Sequence, residues 1–335
     1  MTNPTPRLNR RAFVGTVAAT CVASVGGRAA PVPRDSEAQH WKPLLDWLPE
    51  DTETLVVAPS GIEIAAPKCE VAPENVELAD LLQSLPLGPL GSVCDGFLQK
   101  QLAGLKVLCA VEGSRRFTRP AEFGLMPYEG CHVLRFATES DATLKKVMRA
   151  CQEKAKRTVE LADVPVAEFP DGGEWTYSVC RPCAGVLMLA TNQTYLKETL
   201  NRIDKNPAKR ALPADLPEWK HVDVEARVWA VRHYSKEFAK NDPSSPLCPG
   251  GDDPDAIGTT VWTNTKTGSA EIRYLSHSKD ALAIARTAWG AEKAKLAARK
   301  GAPEVIELVL SAKGEEAAAY GWLVITGRLG HVVVC

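Results

Sequence analysis

The sequence predicts an α+β fold, antiparallel sheets with packed helices, and three observations predict it. Apolar runs of strand length recur and often come in pairs joined by tight turns; amphipathic helices interrupt them; and strands and helices do not alternate singly, as a doubly wound sheet requires. A 45% hydrophobic and 24% charged composition fits a globular chain and excludes compositional disorder away from the ends. With 335 residues, the chain has room for one large domain or two ordinary ones. Strand–strand–helix units recur without a fixed period, which argues against solenoids and propellers.

The first element is an address. Asn9-Arg10-Arg11-Ala12-Phe13-Val14 resembles the bacterial twin-arginine export motif: paired arginines, a variable residue, Phe, then an aliphatic residue. A moderately apolar stretch from Ala12 to Gly26 follows, and Gly27-Arg28-Ala29 places small residues where a signal peptidase reads, predicting cleavage after Ala29. The apolar run is too short to span a bilayer, and nothing downstream replaces it, so no stable transmembrane anchor is expected. The partners implied are the twin-arginine export machinery and signal peptidase, and the protein is expected to be periplasmic or secreted. The formal net charge is -1, and the leader holds only basic charge (Arg7, Arg10, Arg11, Arg28), so the rest is more acidic still. A nucleic-acid partner is therefore not expected.

Residues 30–45 read as a polar flexible leader running into a short apolar helix with Trp41, Leu44, Leu45, Trp47 and Leu48. Thr54 to Ala58 reads as a buried strand. Asn75 to Leu85 and Gly91 to Leu102 read as helices, and Leu105 to Glu112 as a strand. Cys131 to Ala137 is the next strand, followed by a helix capped by Ser140 or Asp141, with Leu144, Val147, Met148 and Cys151 on one face. Thr158 to Phe169 alternates like a strand, with a break expected near Pro165. Asp171-Gly172-Gly173 reads as a turn, and Trp175 to Cys180 with Ala184 to Ala190 as two strands around a tight connection. Asn192 caps a helix carrying Tyr195, Leu196, Thr199, Leu200 and Ile203 inward. The order resembles a ferredoxin-like split β-α-β unit with an extra hairpin strand.

Residues 46–204 thus form one α+β domain, and 205–223, with its prolines and charges, is the expected linker. Residues 224–335 are a second α+β domain or a continuation of the same sheet. There Ala226 to Val231, Thr260 to Thr263 and Glu271 to Leu275 read as strands, around a Pro/Gly/Asp loop from Asn241 to Gly258. An Ala-rich helix is expected from about Lys279 to Lys300, then strands at Val305 to Leu310, Tyr320 to Thr326 and His331 to Cys335.

Leu48-Pro49-Glu50-Asp51-Thr52 before an apolar strand, and Val186-Leu187-Met188-Leu189-Ala190-Thr191-Asn192 running into a helix, sit behind the twin-arginine leader. Together they resemble uncharacterised secreted proteins of planctomycete-type bacteria. The resemblance implies an α+β envelope protein and brings no catalytic residues with it.

Ten cysteines raise the question of oxidised thiols; Cys21 leaves with the leader, so an odd number remains. Cys109, Cys131 and Cys151 sit in apolar runs and read as small core residues. Cys180-Arg181-Pro182-Cys183 is the sharpest local motif. It resembles the redox motif of thioredoxin-like enzymes, but that chemistry needs a helix directly after the cysteines, and a strand follows here. A structural disulfide or two free thiols at a turn is the plainer reading. Cys69, Cys94 and Cys248 supply no second ligand pair for zinc. His40, His132, His221, His233, His277 and His331 have no metal-ligand spacing.

Ser276-His277-Ser278-Lys279 and Lys266-Thr267-Gly268 fit short elements of penicillin-recognising enzymes in reversed order, and read as coincidence. Gly250 to Asp255 lacks the spacing of a calcium loop. Asn192-Gln193-Thr194 fits a glycosylation sequon but is better explained as a cap. The expectation is a non-enzymatic envelope module that binds an unknown envelope protein or small ligand, or contributes structure, with no cofactor. The alternative is a thiol-redox or metal-dependent enzyme using Cys180 and Cys183.

Overall fold

The computed structural model describes residues 40–59, 62–63, 97–116, 128–170, 176–203, 205, 210–233, 256–264, 269–277, 294–299 and 302–313. The expected export leader with Arg10, Arg11, Phe13 and Ala29 lies outside them. So do the expected helix at Asn75 to Leu85, the turn at Asp171, most of the loop from Asn241, and the last two expected strands.

Among the described residues thirteen strands form one antiparallel sheet. Its members are β1 (Thr54–Ala58), β2 (Ile62–Glu63), β3 (Lys106–Arg116), β4 (Tyr128–Phe136), β5 (Arg157–Leu161), β6 (Val164–Pro170) and β7 (Thr176–Cys180). Then come β8 (Val186–Ala190), β9 (Val228–Arg232), β10 (Ala256–Asn264), β11 (Ser269–Ser276), β12 (Ala294–Arg299) and β13 (Ala302–Lys313). Their order is β12-β13-β11-β10-β9-β1-β3-β4-β8-β7-β6-β5, with β2 alongside β3. Helices α1 (Phe97–Leu102), α2 (Asp141–Lys154) and α3 (Gln193–Arg202) accompany it, with 3₁₀ turns at Lys42–Trp47, Thr138–Ser140 and Pro217–Lys220. The architecture is α+β.

Residues directly opposite in an antiparallel ladder share a face. Val57, Val111, Val133, Met188, Cys180 and Val166 therefore form one line across six strands. Leu44, Leu48, Tyr195, Leu196 and Leu200, from the first 3₁₀ turn and α3, close over that face in a shared core. Helix α2 packs across β6, β7 and β8, and its buried residues Leu144, Val147, Met148 and Cys151 stand outside that core, on the opposite face. Burial on both sides explains why β8 reads as the unbroken apolar run Val-Leu-Met-Leu-Ala, with all of its residues buried.

Local chemistry sets the connections. Asn192 Oδ1 accepts from the Thr194 and Tyr195 amides at 2.7 and 3.2 Å, the expected cap of α3. Ser140 occupies the cap position of α2 without a side-chain capping bond. The alternation through Thr158 to Phe169 is a hairpin, and its break is at Ala162 and Asp163 rather than Pro165. Both have positive φ (50° and 61°), the two-residue turn that matches strand twist. Pro165 is tolerated because pairing of β6 with β7 begins only at Val166.

The expected helix ending near Lys300 is corrected: Ala294–Arg299 is strand β12, hydrogen-bonded along β13. Ala, Lys, Leu and Arg favour helix intrinsically, but propensity is a small term that a ladder of backbone bonds overrides. Strand β9 pairs with both β1 and β10, so the sheet continues past residue 224 without interruption. The segment expected as a linker contributes Ala211, Leu212 and Val222 to the core. Trp219 there packs edge-on against buried Trp229, ring centroids 5.8 Å apart. Among the described residues no helix is long and apolar enough to cross a membrane.

Candidate functional site

Cys180 ends β7 on the inner face of the sheet and is 0% exposed, packed with Val133, Val166 and Met188. Cys183 is half-buried in the following turn; Cys180 is a free thiol, as are buried Cys109 and Cys131. Burial pushes the Cys180 thiol well above its ordinary range, and Cys131 adds to the shift. The chain leaves Cys183 through Gly185 (φ 69°) directly into β8, so the helix that a thioredoxin-like motif requires straight after the cysteines is replaced by a strand. Activated redox thiols need the reverse environment, exposed and electropositive.

Asp141, at the start of α2, holds this turn. Its Oδ1 accepts from Arg181 Nε at 3.1 Å, from the Arg181 terminal nitrogen, and from the Gly185 amide at 3.0 Å. Lys145 Nζ lies 3.2 Å from Oδ2. The Arg181 guanidinium, then the Gly185 amide, hold the carboxyl down at about 2. The motif residue Arg181 is thus a strut, tying the cysteine turn to α2.

A second polar cluster, missed from sequence, joins the Leu48–Thr52 turn to α3. Arg115 on β3 donates to Glu129 (Nε, 2.6 Å), to both Asp51 oxygens (2.6 and 2.7 Å) and to Glu198 (2.7 and 3.0 Å). Its guanidinium lies over the Tyr195 ring, 5.1 Å from the centroid. Tyr195 Oη is 2.8 Å from Thr52 Oγ1, which donates to the Pro49 carbonyl at 2.7 Å. Gly113 beneath has no room for a Cβ: one would lie 2.7 Å from both Leu48 Cδ1 and Tyr195 Oη. The turn before β1 and helix α3 therefore meet over β3, and the polar residues of the cluster are spent on one another. Hydrogen bonds to the carboxylates keep Arg115 charged well above its ordinary range despite the opposing desolvation.

A third group lies along the same inner face. Glu168, 1% exposed, accepts from Arg157 on β5 and from Gln193 at the start of α3. Ser178 stands opposite it on β7, with no hydrogen-bond partner for its buried hydroxyl among the described residues.

The histidines are distributed. His132 is buried beside Glu112, 3.6 Å away. His233 Nδ1 is 2.7 Å from Glu218, and the His221 and His277 rings meet edge-on at 6.5 Å. Among the described residues no three or more His, Cys, Asp or Glu side chains are grouped to hold a metal ion. Ser276 ends β11 and His277 follows it, while Lys266, Thr267, Gly268, Ser278 and Lys279 lie outside the described residues.

No family model and no curated protein matches the chain. Solved structures similar to it include crystal forms of TP0453, a Treponema protein. Crystal form I has a TM-score of 0.45 at 10% identity, covering 85% of this chain and 97% of that one. Crystal form III gives 0.43 at 9% identity, over 83% and 97%.

Proposed function

We propose that the protein is exported by the twin-arginine route and acts, periplasmic or secreted, as a non-enzymatic envelope module. It would bind another protein or a small ligand, or contribute structure. The observation that carries this reading is the fate of the reactive side chains the sequence nominates. Cys180 is sealed in the core with its thiol held protonated, and Arg181 is taken up by Asp141. The polar cluster around Arg115 is closed on itself by three carboxylates. Groups engaged in this way stabilise a fold and offer little to a reacting substrate.

The split β-α-β architecture belongs to the same proposal. Helix α2 leads from β4 to β5 with β8, β7 and β6 between them, and α3 leads from β8 towards β9 across β4, β3 and β1. Each pair of joined strands runs parallel within an antiparallel sheet. The resemblance to planctomycete-type secreted proteins supports the envelope compartment.

An insulin-reduction assay on the mature protein tests the choice between module and thiol-redox enzyme. No turnover above the uncatalysed rate is expected. Turnover that Cys180→Ser abolishes would overturn the reading.

A further inference from the structure

We infer that His221 and His277 form a two-histidine site for a divalent transition-metal ion of the kind imidazole suits, such as zinc, nickel or copper. The two rings stand edge-on with their centroids 6.5 Å apart. Spacing in the sequence does not pair them; the fold does.

His221 follows the 3₁₀ turn Pro217–Lys220, and its amide donates to the Glu218 carbonyl at 3.1 Å. Val222, next in the chain, is buried in the core. It sits over Gly258 on β10, where a Cβ would lie 2.8 Å from the Val222 Cγ2. Gly258 pairs with Leu275 on β11, and His277 comes directly after Ser276, which ends that strand. Leu275 and Ser276 are both buried, so the backbone leading to His277 is held while His277 itself is exposed. His221 is half-buried.

An ion about 2.0–2.1 Å from one nitrogen of each imidazole sets the ring centres about 5 Å apart in a tetrahedral arrangement. A χ rotation of exposed His277 closes the remaining distance, and water completes the coordination. Each ring coordinates through one nitrogen and keeps the other for a hydrogen bond. Imidazole nitrogen suits a late transition-metal ion and not calcium or magnesium, which take oxygen ligands. A bound ion joins the segment that carries Val222 into the core to the end of β11, and stabilises the fold by mass action. The inference does not rest on the envelope-module reading.

Isothermal titration of untagged, chelator-treated protein with zinc chloride and with nickel sulfate, over roughly 1 µM to 1 mM, should show one ion bound per chain. The thermal midpoint should rise with either ion and stay unchanged with calcium chloride. His277→Ala, at an exposed position, should weaken zinc and nickel binding about tenfold or more. Cys183→Ser, which removes a half-buried thiol elsewhere, should leave binding as it is. Loading should fall between about pH 7.5 and about pH 5.5, as protons compete for the imidazole nitrogens. Far-UV circular dichroism confirms that each variant keeps its fold. No binding of either ion across the range, or binding that His277→Ala leaves unchanged, overturns the inference.

Discussion

Thr52 Oγ1 and Tyr195 Oη lie 2.8 Å apart although 143 residues separate them in sequence. The contact joins the turn before β1 to the first turn of α3, and Gly113 makes room for it. Tyr195→Phe removes the hydroxyl while Thr52 keeps its bond to the Pro49 carbonyl. The expected loss is about 0.5–1.5 kcal/mol, read from urea denaturation. Gly113→Ala should cost more, about 1–3 kcal/mol, because its Cβ would strike fully buried Leu48. An equal or smaller loss for the glycine variant would contradict the packing described.

Arg115 answers Glu129, Asp51 and Glu198 at once, and the three are not equivalent. The Glu129 side chain is 7% exposed, against 58% for Asp51 and 42% for Glu198. Arg115→Met leaves Asp51 and Glu198 to water and strands Glu129. The cost expected is about 3–5 kcal/mol, as for other buried pairs broken from one side. Adding Glu129→Gln should recover a large part of it, because the buried charge disappears. Thermal and urea denaturation of both variants checks the order.

Strands such as β1, β4 and β8, with α2 and α3, were legible because their signals are local: a short apolar run, a 3.6-residue period, an Asn cap. The Arg115 cluster was not legible, since its partners are separated by 14, 64 and 83 residues and one sequence does not say which distant charges meet. The hairpin break was misplaced because Pro165 is a louder signal than Ala162 and Asp163, yet the turn needs two left-handed residues. The end of the expected Ala-rich helix was misread because its composition favours helix while β13 supplies a ladder. In the cysteine turn, the following strand was readable and the burial of Cys180 was not.

Buried thiols make the fold sensitive to alkali. Burial pushes Cys109 and Cys131 up to about 12, from an ordinary 9.0. A group with a raised folded-state pKa gives stability that is whole below the unfolded pKa and lost as pH climbs to the folded one. The window is therefore pH 9 to about 12 for these two thiols. Within it, stability falls with each unit of pH, because the thiols ionise in the unfolded chain and not in the fold. Urea midpoints between pH 8.5 and 11 should fall, and Cys109→Ala should make the fall shallower. Site-resolved maleimide labelling of the native protein should reach Cys183 before Cys180, Cys131, Cys109 or Cys151.

Asp141 acts at the opposite end of the pH scale. Its carboxyl is held at about 2 by Arg181 and the Gly185 amide, so its contribution is present above the ordinary carboxylate pKa and lost as pH falls from about 4 to about 2. Asp141→Asn keeps the shape and removes the charge. It should lower the thermal midpoint at pH 7, leave stability near pH 2 unchanged, and speed maleimide labelling of Cys183 by freeing the turn. Unchanged labelling would mean that Asp141 does not hold the cysteine turn.

The proposed export by the twin-arginine route provides the last test. Strand β9 lies between β1 and β10, so the core cannot close until the chain beyond residue 224 has been made. Early strands would meanwhile wait with unpaired edges. A route that carries folded cargo suits that order of assembly. Replacing Arg10 and Arg11 with lysine keeps the positive charge and removes the planar guanidinium forks. Precursor with its leader attached should then accumulate in the cytoplasm, read by fractionation and N-terminal sequencing. Wild-type protein should begin at Ala30. Export that is unaffected by the double lysine variant would assign the leader to a different route.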